Sequence, residues 1–262
     1  MPVGSLRLTD LGYWGLERLR AIDAAGGFWL TRIKSQTHLI DAAGCAWTQA
    51  AFLAAQAATG VTEVDITVEL GAEARVPARL LAQRVPPAVA EERRRKLRAA
   101  AKREGRTPTA DRLLLCDWLV LTTNVPDDRL SLAEAVVLAR ARWQIELLFH
   151  LWKTYGHLDR SRSTNPWRIL GEVYAKLLAL LIQHWTLVLG CWQTPARSLV
   201  KAARVLQQHA LELAAALPRV CQLEVVLERI VRILGHGNRI AARRGNPATW
   251  QLLLAIDDTI NP

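Results

Sequence analysis

Four polar residues with the chemistry to handle a metal ion and phosphate recur at helical spacing in the middle of this chain of 262 residues. They are Arg142, Glu146, His150 and Lys153, within the segment RARWQIELLFHLWKTY that starts at residue 140. At about 100° per residue these side chains share one stripe of a helix. The other directions carry mostly apolar side chains, a pattern that predicts a helix buried on most sides.

This polar stripe has two interpretations on the residues alone. In the simpler one it is the water-facing edge of the helix, and Arg142 and Glu146 form an i,i+4 pair worth about 0.2–0.5 kcal/mol. In the other, the carboxylate binds a divalent metal ion while the flanking cations bind phosphates, as phosphoryl transfer requires. The helical wheel does not separate these interpretations.

The spacing of Arg142, Glu146 and Lys153 resembles a known signature. Bacterial insertion-sequence DDE transposases carry Tyr-x2-Arg-x3-Glu-x6-Lys, called the YREK signature, in a ribonuclease H-like fold. In that family the Glu is the last of three metal-binding acids, and the Arg and Lys are associated with phosphate contacts on the transposon end. This chain has Ala139 where the family usually has Tyr, so the contact from that ring is not expected here.

The resemblance extends over most of residues 5–190. Residues 5–34 resemble the region of the second acid, with Asp10 after a short strand and an Arg-x-Lys pattern after the next strand. Residues 117–124, DWLVLTTN, resemble the strand that ends in Thr-Asn before the signature helix, and residues 165–178 resemble the helix that follows it.

The resemblance implies roles for individual residues. Asp10 and Glu146 are the expected catalytic residues and ligands of Mg²⁺ or Mn²⁺. The expected DNA contacts from the motifs are Arg142, Lys153, Arg32 and Lys34. The family reaction is cleavage and transfer of DNA strands in cut-and-paste transposition, with transposon ends and target DNA as partners and a homodimer in the active complex.

The residues around Asp10 support this expectation independently. Leu6 and Leu8 alternate with polar neighbours, which predicts a half-buried strand with the carboxylate at its C-terminal end. Ligand sites favour such strand ends in α/β sheets. The alternative role for Asp10 is to cap the helix that follows.

The family's first catalytic Asp lies well upstream of the second, whereas nine residues precede Asp10 here. We therefore expect the C-terminal portion of a transposase. Because two-metal chemistry needs acids on both sides of the metal pair, weak or absent catalysis is expected. The alternative function is a catalytically inactive remnant that binds DNA. Asp65 and Asp117 are assigned to structure rather than to the missing acid.

The predicted fold class is α/β, a partial ribonuclease H-like fold with a β-rich insertion and a helical C-terminal region. The predicted divisions are residues 1–36 and 113–192 for the core, 37–112 for the insertion and 193–262 for the helical tail. Within the insertion we expect a helix over Ala42 to Ala58 and a β-hairpin around Gly71. Apolar residues recur every seven residues from Leu199 to Leu234, which predicts core or helix–helix packing, with assembly with a partner as the alternative.

Charge and composition agree with a DNA-binding protein. The net charge is +10, the pI is about 10.1 and 51% of the residues are hydrophobic, so the chain can bury a core and favours polyanions. The basic run AEERRRKLRAAAKREGR adds four candidate DNA contacts, which are Arg93, Arg94, Arg95 and Lys96. The alternative for this run is a solvated face of a helix.

The compartment follows from the cysteines and the apolar segments. The four cysteines lack a C-x-x-C pair, so neither a zinc site nor a disulfide framework is predicted. The cysteines are compatible with a reduced cytoplasm, and the resemblance to bacterial transposases implies a prokaryotic protein located at the nucleoid. Residues 173–192 are long enough to span a bilayer, but Lys176, Gln183 and His184 interrupt them, so no membrane partner is expected.

Overall fold

The computed structural model describes residues 2–154, 156–191, 198–237, 251–252 and 254. The chain divides into two compact units. The first unit comprises Met1–Arg142 with Leu253–Pro262, and the second comprises Trp143–Leu252.

The first unit is built on a mixed sheet of seven strands in the order β1-β2-β7-β6-β5-β3-β4. The strands are β1 Leu6–Thr9, β2 Phe28–Arg32, β3 Leu39–Ile40, β4 Ala46–Trp47, β5 Glu63–Leu70, β6 Val76–Arg84 and β7 Trp118–Thr123. The β1–β2 pair is parallel and the other pairs are antiparallel. The parallel pair needs a crossover, which a helix supplies.

Five helices accompany this sheet in the described part of the first unit. They are α1 Leu16–Ala24, α2 Gln49–Ala58, α3 Pro87–Arg103, α4 Ala110–Leu114 and α5 Leu132–Ala141. Polar residues set where several of them begin, because a side-chain oxygen accepts a hydrogen bond from an otherwise unpaired backbone N–H. At α5, Ser131 and Glu134 form a reciprocal capping box.

Both faces of the sheet are covered by apolar side chains, since successive strand residues point to opposite faces. On one face Trp29, Leu53 and Leu80 are fully buried in the larger core. On the other face Leu30 and Leu121 pack with side chains of α5. Burial of a large apolar side chain contributes about 1.5–3 kcal/mol, so both layers stabilise the sheet. The predicted α/β class is therefore confirmed.

The second unit is helical where it is described. Its helices are α6 Trp143–Thr154, α7 Pro166–Cys191, α8 Leu199–Gln208, α9 Ala210–Ala216 and α10 Val220–His236. Leu206 and Leu234 are buried in its core, as the seven-residue recurrence predicted, but Val220 of the same series is 78% exposed. The recurrence spans three separate helices, so their different directions turn some members outward.

Two secondary-structure predictions can be compared directly with the structure. The β-hairpin around Gly71 is confirmed as the β5–β6 pair. The helix predicted from Ala42 is wrong at its start, because α2 begins at Gln49. The residues before α2 form a turn and the strand β4. In the turn, Asp41 accepts hydrogen bonds from three groups. The indole N–H of Trp47 donates the bond that contributes most to lowering the pKa of Asp41.

The segment that carries the polar stripe also differs from its prediction. The helix α5 ends before Arg142 and α6 begins after it. Trp143 and Phe149 are each 52% exposed, so the prediction that this segment is buried on most sides is wrong. A helical wheel shows which side chains share a face of a helix, but a face is buried only where another element packs against it.

The helix α7 is long and apolar enough, over Pro166–Gly190, to cross a membrane by length and composition. A core helix of a soluble protein passes the same test, so this property alone is weak evidence for a membrane span. The expectation of no membrane partner stays a prediction.

Candidate active site

Asp10 lies immediately after β1, at the C-terminal end of the strand. Its Oδ1 accepts a hydrogen bond of 2.7 Å from the backbone N–H of Leu11 and caps the 3₁₀ turn Leu11–Tyr13. The side chain is nevertheless 48% exposed. Asp10 therefore has the capping role considered from the sequence and still offers a carboxylate to a ligand.

Arg142 lies beside Asp10 in the first unit. Its Nη1 is 3.6 Å from Oδ2 of Asp10, a separation that suits an ion pair but exceeds an ordinary hydrogen bond. Arg142 follows α5, so the helix that packs on the sheet determines where the guanidinium lies. The fold thus brings together two residues whose roles were inferred from separate motifs.

A buried arginine anchors the loop that leads into α5. Arg79 of β6 donates from Nε and Nη2 to the two carboxylate oxygens of Asp65, at 3.1 and 2.5 Å. Its Nη1 donates to the carbonyl oxygens of Val125 and Leu130, at 2.8 and 3.0 Å. The structural assignment of Asp65 is therefore confirmed. Sequence reasoning missed Arg79, although the predicted hairpin already placed it near an opposite charge.

Asn124 links three segments next to the same loop. Its Oδ1 accepts from the backbone N–H of Trp29 at 2.8 Å, and its Nδ2 donates to Asp23 Oδ1 at 2.8 Å and to the carbonyl of Gly27 at 3.1 Å. The amide thereby joins the end of β7 to the beginning of β2 and the end of α1. The Thr-Asn pattern at the end of this strand therefore has a structural role, in which Asn124 connects three segments.

Glu146 and Lys153 belong to α6 in the second unit. Glu146 lies in the first turn and is half-buried, whereas Lys153 lies in the last turn and is exposed. His150 lies between them, with Nδ1 at 3.4 Å from the hydroxyl of Thr154. Because Asp10 belongs to the first unit, a joint metal site of Asp10 and Glu146 stays a prediction.

Arg32 and Lys34 are both exposed at the end of β2, while Thr31 and Ile33, which alternate with them along the chain, are buried. The positive charge of Arg32 also acts on Arg93. The pKa of Arg93 is lowered, first by burial of its guanidinium and then by repulsion from Arg32. Arg32 and Arg93 therefore lie close enough for their like charges to interact.

The four cations predicted from the basic run already have partners within the protein. Arg93 donates to the carbonyl of Trp118 at 2.9 Å, and Arg94 forms ion pairs with Glu91 and Asp117. Glu92 pairs with Arg95 and Lys96. Asp117 is thus engaged in structure, as expected. Phosphate contact by these four cations stays a prediction.

The C-terminal half of α3 carries more accessible charge. Arg98, Lys102 and Arg103 are exposed, and no ion pair or hydrogen bond of their side chains occurs within the described residues. The helix is therefore partly neutralised near its start and positively charged near its end. The cations that are best placed for a polyanion lie downstream of those predicted.

Comparison with known proteins agrees with the motifs and with the mixed α/β fold. A family model described as "Transposase DDE domain" matches residues 2–182. The chain therefore belongs to the transposase DDE domain family.

Individual relatives are insertion-sequence transposases. The transposase for IS231F of Bacillus thuringiensis subsp. israelensis is 24% identical over 95% of this chain and 57% of its own length. A putative transposase, InsL for IS186A of Escherichia coli K12, is 35% identical over 42% of this chain and 30% of its own. The transposase for IS1151 of Clostridium perfringens is 23% identical over 68% of this chain and 41% of its own length. The chain thus spans about half the length or less of these relatives, and no solved structure matches it.

Proposed function

We propose that this chain is part of an insertion-sequence transposase that cleaves DNA strands and transfers them by metal-dependent phosphoryl transfer. The observation that supports this function best is the pairing of Asp10 with Arg142 at the end of β1. Both residues lie within the stretch that matches the transposase family. An accessible carboxylate beside a guanidinium is the combination that metal-assisted phosphate chemistry uses.

The metal would be Mg²⁺ or Mn²⁺, because both prefer oxygen ligands such as carboxylates. Asp10 fits as one ligand, and Glu146 is the proposed second. No group of three or more His, Cys, Asp and Glu side chains that could hold a metal occurs within the described residues, so these two acids would supply part of the ligand set. When bound, such ions activate the attacking oxygen and stabilise the leaving oxygen.

The protein's own groups have separate tasks in this proposal. The backbone N–H of Leu11 holds one oxygen of Asp10 and thereby orients the other. The planar guanidinium of Arg142 can donate two parallel hydrogen bonds to a phosphodiester. Lys153, Arg32 and Lys34 would bind the DNA backbone without reading its sequence.

The second candidate is a protein that binds DNA without cleaving it. The exposed cations Arg98, Lys102 and Arg103 of α3 favour this alternative, because they can contact phosphates without a metal ion. The net charge of +10 would still support binding to DNA. For either candidate we also predict a location at the nucleoid, and a homodimer in the active complex stays a prediction.

One experiment separates the two candidates. The full chain is incubated with labelled duplex DNA from the flanks of its own gene, and binding and strand nicking are measured with Mg²⁺, with Mn²⁺ and with a chelator. The transposase proposal expects nicking that requires metal and falls to background in Asp10→Asn and in Glu146→Gln, with DNA binding retained by both variants.

The control is Glu73→Gln, since Glu73 is exposed and makes no hydrogen bond or ion pair within the part of the chain that the structure describes. This variant should bind and nick as the parent does. Binding by the parent without nicking in either metal supports the non-catalytic alternative. Nicking that survives in both Asp10→Asn and Glu146→Gln rejects the proposed catalytic residues.

A further inference from the structure

The segment that joins α6 to α7, together with the first turn of α7, carries an exposed cluster of cations beside an exposed aromatic ring. Arg160, Arg162 and Arg168 are exposed, and Trp167 is 81% exposed. The three guanidinium groups make no ion pair or hydrogen bond with any residue that the structure describes. Asp159 is the neighbouring acid in sequence, so the segment has a surplus of positive charge.

Glu172 and Lys176 of α7 hold the first part of this segment in place. The hydroxyl of Ser161 donates to Glu172 Oε2 at 2.7 Å, and Lys176 Nζ lies 2.8 Å from Glu172 Oε1. Lys176 also donates to the carbonyl of Arg160. These contacts use Lys176 and Glu172 for support and leave the arginine side chains for solvent or a ligand.

A relay of hydrogen bonds continues from Ser161 to the start of α7. The backbone N–H of Ser163 donates to the hydroxyl of Ser161 at 3.3 Å, and that of Asn165 donates to the hydroxyl of Ser163 at 3.1 Å. The Asn165 side chain then accepts from the backbone N–H of Trp167 at 3.0 Å. The backbone between the arginines and the ring is therefore ordered before any ligand binds, which reduces the entropy cost of binding.

We propose that this segment binds DNA that contains unpaired bases, with Trp167 stacking on a base and Arg160, Arg162 and Arg168 contacting the adjacent phosphates. The inference rests on the proposed function in taking DNA as the ligand. An aromatic face combined with a positively charged track is how proteins hold single strands without reading their sequence. Leaving a large indole 81% exposed costs hydrophobic stabilisation, and a base would recover it.

The ring also lies on an apolar stripe of α7, and this supplies a rival explanation. Tyr174, Leu178, Leu181 and Trp185 follow Trp167 at helical spacing and are all exposed. Trp185 is 60% exposed, but its neighbours in sequence are His184 and Thr186 rather than arginines. A surface that contacts protein or lipid would use both tryptophans, whereas the proposed DNA site uses Trp167 alone.

The test compares Trp167→Ala with Trp185→Ala and with the conservative Trp167→Phe, all in the full chain. Fluorescence anisotropy, without metal, measures binding to two labelled DNAs of the same sequence, one fully paired and one with a short unpaired run. The expected result is that Trp167→Ala weakens binding to the unpaired DNA by about tenfold, in line with the loss of one stacked base. Trp167→Phe should restore most of it, and Trp185→Ala should change neither affinity.

The arginines are tested in a double variant that combines Arg160→Gln and Arg162→Gln. The control is Arg232→Gln, which changes an exposed arginine of α10. The double variant should bind more weakly and with a shallower dependence on salt, because fewer counterions are released. The control should match the parent.

Three results would overturn the inference. One is an equal effect of Trp167→Ala and Trp185→Ala, which would assign the ring to the apolar stripe. Another is binding of the parent to vesicles of equal parts phosphatidylglycerol and phosphatidylcholine, lost in Trp167→Ala, without a preference for unpaired DNA. The third is an unchanged preference in Trp167→Ala. If any of these results occurred together with metal-dependent nicking, the inference would fail and the proposed function would stand. A preference for unpaired DNA that requires Trp167, without nicking, would support the inference and contradict the proposed catalytic function.

Discussion

Replacing Arg79 by Met should destabilise the first unit strongly. The substitution retains much of the apolar length of the side chain and removes the guanidinium. Asp65 would lose both of its hydrogen bonds from Arg79, and the carbonyl oxygens of Val125 and Leu130 would lose a charged donor. The loop that leads into α5 would then be held less firmly.

The magnitude follows from burial. The Arg79 side chain is 11% exposed, and breaking a buried ion pair by removing one partner costs about 3–5 kcal/mol. Asp65 is 34% exposed and can regain water, which reduces the cost. Loss of a donor by two buried carbonyls adds about 1 kcal/mol each, so we expect a total of about 3–5 kcal/mol.

The assay is urea unfolding of the full chain, combined with hydrogen exchange of the amides in β5, β6 and β7. Exchange in these strands reports the first unit directly. The matched control is Glu69→Gln, which breaks the exposed pair of Glu69 with Arg75 at the end of the same hairpin. That pair is solvent-exposed, so the control should cost less than about 1 kcal/mol.

A double variant sharpens the test. Arg79→Met combined with Asp65→Leu should cost less than the sum of the two single changes, since no charge is left unpaired. The reasoning is refuted if Arg79→Met costs no more than Glu69→Gln. Strict additivity of the two single changes would also contradict the proposed coupling.

Three further predictions concern other contacts. Asn124→Ala should cost about 1–3 kcal/mol in urea unfolding, because the buried N–H of Trp29 loses its acceptor. Gly71→Ala should cost more than Gly44→Ala in the same assay: both glycines have positive φ, at 84° and 80°, but only at Gly71 would the added Cβ lie 2.5 Å from a leucine methyl group. The pKa of Glu172 is lowered to about 2, chiefly by the hydrogen bond from a lysine. Its stabilisation of the fold is therefore complete above the unfolded pKa near 4.5 and disappears as the pH falls toward 2, so thermal midpoints of the parent should fall more steeply than those of Glu172→Gln in that interval.

The sequence by itself determined the local elements and the candidate residues. Alternation on either side of Gly71 specified the β5–β6 hairpin, because a period of two suits only a strand. The motif spacings also selected Asp10, Arg142, Glu146 and Lys153 within a family that the comparison confirmed. The sequence was a poorer guide to whether the segment before α2 would form a helix or a turn, as the turn around Asp41 shows. There, hydrogen bonds to one carboxylate outweighed the helix propensity of an alanine-rich segment.

Only the tertiary structure decided which of these residues meet. The ion pair of Asp10 with Arg142 and the contacts of Arg79 with the loop before α5 join residues far apart in sequence. The same holds for the ion pair of Arg94, a predicted DNA contact, with Asp117. Charge and periodicity describe a segment and its faces, whereas the partner of a face depends on the strand order and on the packing of helices against the sheet. That order arises from long-range pairing, which no local pattern in the chain encodes.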